Sequence, residues 1–306
     1  MQPVIEWLLH GDPAIRWQVQ RDLLGAKPEV YEPERARVAS SGWGKRLLAR
    51  QDADGHWGGG IYSPKWISTT YTLLLLRDMG LAHNNSQAQL ACATFFYRGF
   101  EHDGGINWFK SRHESETCVN GMIVSLLSYF HSPDARLHDV VGFLLGEQMP
   151  DGGWNCERVR GARHGSLHTT ILALEGLREY AARTDHEPAS LSQAVERGQE
   201  FLLRHRLYKS HRTGRVIDSE MTRLHFPPRW HFDILRGLDY FQSVGAARDV
   251  RMRDAVNQVE SRQTEDGRWP LNKSWTGRVF FEMERSGTPS RWNTMRALRV
   301  LKWWRA

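Results

Sequence analysis

Two short segments carry residue types from which a reactive site can be built. Glu116-Thr117-Cys118 opens one apolar helical segment, and His168, in Leu167-His168-Thr169-Thr170, opens the next. A carboxylate, a thiolate and an imidazole make a reasonable zinc set, with the fourth position left open for water or substrate. Cys118 is then also the candidate catalytic thiolate. Residues i and i+2 of a regular helix point about 200° apart. Glu116 and Cys118 can therefore converge only where loop passes into helix. His113, Cys156 and His164 are spare donors in neighbouring loops. The competing reading makes Cys118 a small buried apolar residue, His168 a satisfied polar one, and Glu116 a charge that favours a helix N-terminus.

A second group is basic. Lys110, Arg112 and His113 lie just before Glu116, and Arg16, Arg229 and Arg291 each precede a Trp where a helical segment begins. Arginine suits two-pronged recognition of phosphate or carboxylate, and helix N-termini add a positive field. Taken singly, each Arg can equally stack on its Trp or pair with Glu or Asp. A third group is Trp230-His231-Phe232-Asp233, where His231 and Asp233 form an acid–base pair if both reach a cavity. Asp233 could instead simply cap a helix. Trp66, Tyr71, Trp230 and Trp292 offer an apolar wall for an isoprenoid chain, although aromatics at helical spacing also build ordinary core.

The elements that must position these residues are read from a repeat. Asp-Gly followed by Trp occurs in Gln51-Asp-Ala-Asp54-Gly55-His-Trp57 and in Asp103-Gly104-Gly105-Ile-Asn-Trp108. It returns in Gln148-Met-Pro-Asp151-Gly152-Gly153-Trp154 and in Gln263-Thr-Glu-Asp266-Gly267-Arg-Trp269. The Asp residues are 49, 48 and 115 apart, and a decayed copy at Arg212-Thr-Gly214-Arg215 divides the long gap. Glycine permits the left-handed turn, Asp caps the next segment, and Trp packs between hairpins. Apolar residues recur every three or four positions before and after each turn, without the alternation of strands. The segments before the turns are expected at 36–50, 88–97, 137–147, 191–205 and 246–262. Those after them are expected at 66–79, 117–130, 169–180, 230–241 and 292–304. A short helix at 3–9 and another at 13–24 complete the series. The segment ending Leu301-Lys-Trp-Trp304 carries apolar residues where an open solenoid would carry a polar cap, which favours closure. The expected fold is all-α: a single α6/α6 toroid domain spanning 1–306.

The Gln-x-x-Asp-Gly-x-Trp turn before a helix hairpin resembles the turn motif of squalene–hopene cyclases. The ring of helix pairs resembles both those cyclases and the β subunits of protein prenyltransferases, from about Trp7 to Trp304. The resemblance implies an α/α toroid and a terpenoid or prenyl substrate. Prenyltransferase β subunits hold catalytic zinc on an Asp-x-Cys and a His in successive repeats, so the resemblance implies Glu116, Cys118 and His168 as ligands. It also implies Lys110 and His113 as diphosphate contacts. Three positions depart from that pattern: Glu116 replaces Asp, Val119 replaces Tyr, and Ser68 stands where a diphosphate-binding His is expected. The Asp-x-Asp-Asp acid of class II cyclases does not occur, Asp218-Ser-Glu220 being the nearest segment. A prenyltransferase proper would also need an α subunit.

Composition bounds the rest. The chain has 306 residues, 40% hydrophobic and 25% charged, and its mean hydropathy of −0.56 excludes an integral membrane protein. No signal peptide is read at the N-terminus. Three cysteines without paired spacing suit a reducing, cytoplasmic setting. The net charge is +6, with the densest cations at 204–215 mixed with His, which argues against nucleic acid and leaves peripheral membrane contact open. No P-loop, dinucleotide fingerprint, Cys-x-x-Cys or Gly-x-Ser-x-Gly is present. The expected function is a zinc-dependent toroid enzyme acting on an isoprenoid or similar apolar substrate with an anionic, diphosphate-like head. The alternatives are a metal-free cyclase-like or lipid-binding protein, a carbohydrate-active α6/α6 barrel using Asp103, Asp151 or Asp233, and a filled scaffold.

Overall fold

The computed structural model describes residues 2–97, 99–109, 114–184, 189–273 and 275–306. Its helices are α1 (Gln2–Leu9), α2 (Pro13–Gln18, running on as a π-helical turn, Val19–Leu23), α3 (Pro28–Ala36), α4 (Gly42–Leu48), α5 (Thr69–Met79), α6 (Ser86–Ala93) and α7 (Thr117–Tyr129). They continue as α8 (Leu137–Gly146), α9 (Leu167–Ala181), α10 (Ala189–Arg204), α11 (Ile234–Ser243), α12 (Arg253–Glu260) and α13 (Arg291–Arg305). Among the described residues there is no β-strand, only isolated bridges.

Two kinds of helix alternate, apart from α3, which buries none of its residues. In α5 every residue from Thr69 to Leu76 is buried, and α7 and α9 are buried over most of their lengths. Such helices must be enclosed on all sides. By contrast, α8 buries Leu137, Val140, Val141 and Leu144, and α12 with the turn before it buries Met252, Ala255, Val256 and Val259. Those are single stripes at i, i+3, i+4 and i+7, so these helices face water on the other side. The enclosed set (α2, α5, α7, α9, α11, α13) forms an inner ring, and the striped set lies outside it. The ring closes on itself. Trp17 Nε1 donates to the Met79 carbonyl at 2.8 Å, joining α2 to α5, while Arg299 of α13 reaches Asp22 beside α2 at 2.7 Å. The protein is an α/α toroid.

The repeated turn is the same structural device in three places. Trp57, Trp154 and Trp269 are completely buried. Each Nε1 donates to a carbonyl ten residues upstream, on Leu47, Leu144 and Val259, at 2.7–2.8 Å. Each Trp backbone N–H donates to a threonine of the following inner helix: Thr69, Thr170 and Thr294. The Gln51, Gln148 and Gln263 amides donate to the carbonyls of Gly55, Gly152 and Gly267, whose φ values of 86°, 92° and 80° suit glycine. One indole thus ties an outer helix to the next inner one. At the second turn Trp108 is only partly buried, and its Nε1 bond to Phe95 O is 3.3 Å.

Two inner helices begin later than the periodicity predicts. Trp66 and Trp230 lie in the loops ahead of α5 and α11. Pro227 and Pro228 disfavour helix in the residues just before them, and Asp233 then caps α11 through the Arg236 N–H at 2.8 Å. Trp66 instead accepts an extended partner, its N–H donating to Arg278 O at 2.9 Å.

The closest approach in the ring is between α7 and α9. A Cβ on Gly121 would sit 2.8 Å from the Leu172 backbone, and one on Gly176 would sit 2.5 Å from Gly121 O. Gly142, exposed on α8, has nothing within 4 Å. Gly121→Ala is therefore expected to cost about 1–3 kcal/mol, whereas Gly142→Ala should gain roughly 0.5–1 kcal/mol. Urea unfolding of the two variants checks the opposite signs.

Candidate functional site

The ring has two unlike ends. At the N-terminal ends of the inner helices the lumen is plugged. The segment between α12 and α13 lies across it: Trp66 Nε1 donates to Thr276 O at 3.0 Å, and Gly277 packs directly on the Trp66 indole. His231 is sandwiched between Trp275 (ring centroids 3.5 Å, 7° between planes) and Trp230 (3.7 Å, 23°). Trp66 meets Tyr71 edge-on at 4.7 Å, and Arg229 lies over Trp66 at 5.4 Å. The expected aromatic residues Trp66, Tyr71 and Trp230 do converge, together with His231 and His168, but as a packed plug.

The polar members of that plug are engaged by their surroundings. Burial and the neighbouring His168 push the His231 imidazole down to about 3, so it stays neutral at physiological pH. Asp233 does not pair with it. Its two oxygens accept from the backbone N–H groups of Arg236 and His225, which makes it the cap of α11. Burial lowers Arg229 to about 10.

The expected metal ligands do not assemble. Among the described residues no three His, Cys, Asp or Glu side chains come together in a way that could hold a metal ion. His168 Nδ1 accepts the Phe232 N–H at 2.8 Å, which leaves the ring proton on Nε2, where a metal would bind. Glu116 is the N-cap residue of α7. The neighbour of Cys118 is Cys156, whose N–H donates to Thr169 Oγ1 at 3.3 Å. Among the described residues the donor set does not fit zinc. Lys110, Arg112 and His113 lie outside the described residues.

Two of the three arginines expected at the ring mouth are elsewhere. Arg16 binds Glu34 at 2.6 and 2.8 Å and Gly11 O at 2.7 Å. Arg291 covers the Trp7 ring and donates to Trp7 O at 3.2 Å. Both therefore join outer parts of the ring. Asp103 and Asp151 cap their turns through the Gly105 and Gly153 N–H groups, and neither supplies a carboxylate to the lumen.

The other end is open. A cavity of about 510 Å³ lies at the C-terminal ends of the inner helices, and Trp292, which the sequence marked, lines it with Trp17 and Phe226. Phe226 and Trp292 stack at 3.9 Å. The rest of the wall is charged, with seven arginines against five carboxylates. Glu175 accepts from Arg236 at 2.7 and 2.8 Å and lies 3.5 Å from Arg77. Asp239 accepts from Arg296 at 3.1 Å and from Arg299 at 2.7 and 2.8 Å, and Arg299 continues to Asp22. Arg77 bonds Ser125 of α7, and Gln18 Nε2 donates to Asp78 O at 3.1 Å. Together these contacts run once round the lumen and touch every inner helix. The helix C-termini that face the cavity carry a negative field, and Arg35 answers one of them by donating to Gly80 O at 3.0 Å.

Charge state follows from this packing. Burial alone would raise the Glu175 carboxyl, but Arg236 and Arg77 outweigh it and hold it at about 2. Asp22 is likewise held below its ordinary range against its own burial, by Arg21 and Arg299. These carboxylates accept hydrogen bonds and are not proton donors. The Arg296 Nη1 is buried without a partner, so the belt retains an unused donor beside Trp292. Sequence reasoning missed this belt. Its signal was present as charges at i, i+3 inside otherwise apolar segments: Arg236/Asp239, Arg296/Arg299 and Glu175/Arg178.

No family model matches the chain, and no curated protein matches it. Solved structures do. A protein from Actinoplanes is 16% identical over 97% of this chain and 91% of its own, with a TM-score of 0.49. An arginine-to-alanine variant of the type II terpene cyclase MstE from Scytonema, in complex with geranylgeranyl dihydroxybenzoate, is 16% identical over 94% of this chain and 85% of its own, at 0.47. The apo form of MstE is 12% identical over 88% and 96%, at 0.35. Likeness at this level transfers no residue role. No helix among the described residues is long and apolar enough to cross a membrane.

Two outcomes follow from these states. Glu175→Gln leaves Arg236 and Arg77 buried beside a neutral amide and is expected to cost roughly 3 kcal/mol. The lowered Glu175 value stabilises the fold above the unfolded value of 4.5, and this contribution is lost as pH falls toward 2. The melting temperature of the wild type should therefore drop more steeply between pH 5 and 2 than that of Glu175→Gln. For His168, nitrogen NMR should show the Nε2–H tautomer, and protein purified without chelator should carry no stoichiometric zinc.

Proposed function

We propose that the toroid takes an amphipathic anion, of the isoprenoid diphosphate class, into its open lumen. The observation that carries this reading is the pairing of an arginine excess with an unused buried donor on Arg296, beside the stacked Trp292 and Phe226. Guanidinium forks suit diphosphate oxygens, and the aromatic wall suits a prenyl chain. A cavity of about 510 Å³ falls within the range of small-molecule sites.

The same geometry limits the chemistry. Carboxylates held ionised by arginine cannot start a reaction by protonating an alkene, whereas arginines can stabilise charge on a departing diphosphate. The reading is therefore of a toroid that binds, and can assist ionisation of, a diphosphate ester. The terpene cyclase activity named for MstE is consistent with a terpenoid ligand but supplies none of this argument.

Titration of farnesyl diphosphate and of farnesol, followed by tryptophan fluorescence, tests the reading. The diphosphate should bind at least tenfold more tightly than the alcohol, and Arg296→Gln should remove most of that preference. Equal binding of the two, or a preference that survives Arg296→Gln, overturns it and leaves the belt a structural role.

A further inference from the structure

The cation-rich stretch at 204–215 has no part in the lumen. It forms a second cavity, of about 480 Å³, on the outer side of the ring. Four of the residues lining it are Arg204, Arg206, Lys209 and Arg251. The others are His211, Ser210 and Gly214, and none is acidic. We propose that this cavity binds the phosphate group of an anionic ligand, as a site separate from the lumen.

The cavity arises where the repeat fails. At three of the other turns the Asp-Gly-x-Trp segment fills the space between hairpins with a buried indole. At 209–216 the chain is Lys-Ser-His-Arg-Thr-Gly-Arg-Val, without the Asp or the Trp. It still turns back, with Lys209 bridging Val216, Ser210 N–H donating to Arg215 O at 2.8 Å, and Gly214 at φ 70°. The turn is kept, but cations line its mouth.

The cations are held in place from behind. Asp254 accepts from Lys209 at 2.7 Å and lies 3.7 Å from Arg206. Glu200 and Asp249 both grip Arg251, at 2.7–3.1 Å. His205 donates its Nδ1–H to Phe201 O at 2.8 Å, so its Nε2 accepts from His211 Nδ1 at 3.0 Å. His211 is therefore oriented by a second ring. Cations fixed by carboxylates outside the cavity lose little freedom on binding, and several of them converging suit a tetrahedral, multiply charged oxyanion better than a single carboxylate. Both a soluble phosphate ester and a phospholipid headgroup present this chemistry.

The test uses the full chain in two arms. In one, inorganic phosphate is titrated by calorimetry into the wild type and into Arg296→Gln, so that any binding in the lumen is read separately. In the other, the protein is sedimented with phosphatidylcholine vesicles, with and without phosphatidic acid. Saturable binding in the first arm alone assigns a soluble ester, and sedimentation only with phosphatidic acid assigns a headgroup; either supports the site. Arg204→Glu combined with Arg206→Glu changes exposed side chains and should weaken binding at least tenfold, and added salt should weaken it further. In the Arg296→Gln background, which removes the lumen's contribution, binding at this cavity should persist and should still be lost on the double charge reversal. No saturable binding in either arm, or binding that survives the double charge reversal, overturns the proposal.

Discussion

Glu175 of α9 accepts two hydrogen bonds from Arg236 of α11 in the interior of the ring, and Asp239 of α11 does the same for arginines of α13. Buried charges of this kind are costly to desolvate, so such pairs contribute little net stability. Removing one partner is costly, because the other is left buried and alone. The belt therefore acts chiefly on which helices may be neighbours. An inner helix shifted by one turn would carry its arginine away from its carboxylate. The ring's order, its closure between α13 and α2, and the shape of the open end all depend on these matches.

Around that belt the repeated turns do the mechanical work. A single indole between an outer helix and the next inner helix fills volume, satisfies its own N–H, and has its backbone held by a threonine. Where the turn is intact the hairpins are sealed together. At 209–216 it is not, and the surface there is a basic hollow. The two ends of the lumen differ for a related reason. The loops ahead of the inner helices bring Trp66, Trp230 and His231 to one end, where the segment carrying Trp275 and Gly277 covers them. The other end has no such cover and keeps its charged wall open.

The proposed function rests on the open end. Of the side chains that look chemically promising in the sequence, Cys118, His168, His231, Trp66, Tyr71 and Trp230 collect at the plugged end, where burial keeps His231 neutral and Asp233 serves as a cap. The wall able to meet a polar ligand is made of arginines and carboxylates from the middles and ends of inner helices.

The sequence by itself determined the repeat, the all-helical class, the alternation of enclosed and striped helices, and closure. Those features rest on local rules: glycine for a left-handed turn, Asp for a cap, and apolar spacing for a buried face. Trp292, one of the aromatics the sequence singled out, lines the open cavity. What only the tertiary structure decided is where each charged side chain goes. Arg16 in α2 and Arg291 at the start of α13 carry the same Arg-Trp dipeptide as Arg229 in the loop ahead of α11, yet they turn outward to Glu34 and Trp7, because side-chain direction there depends on local backbone geometry that the repeat does not encode. Arg236 and Glu175 are 61 residues apart and meet only when the ring closes. A pairing of that range depends on how six helices pack at once, and no local pattern carries it.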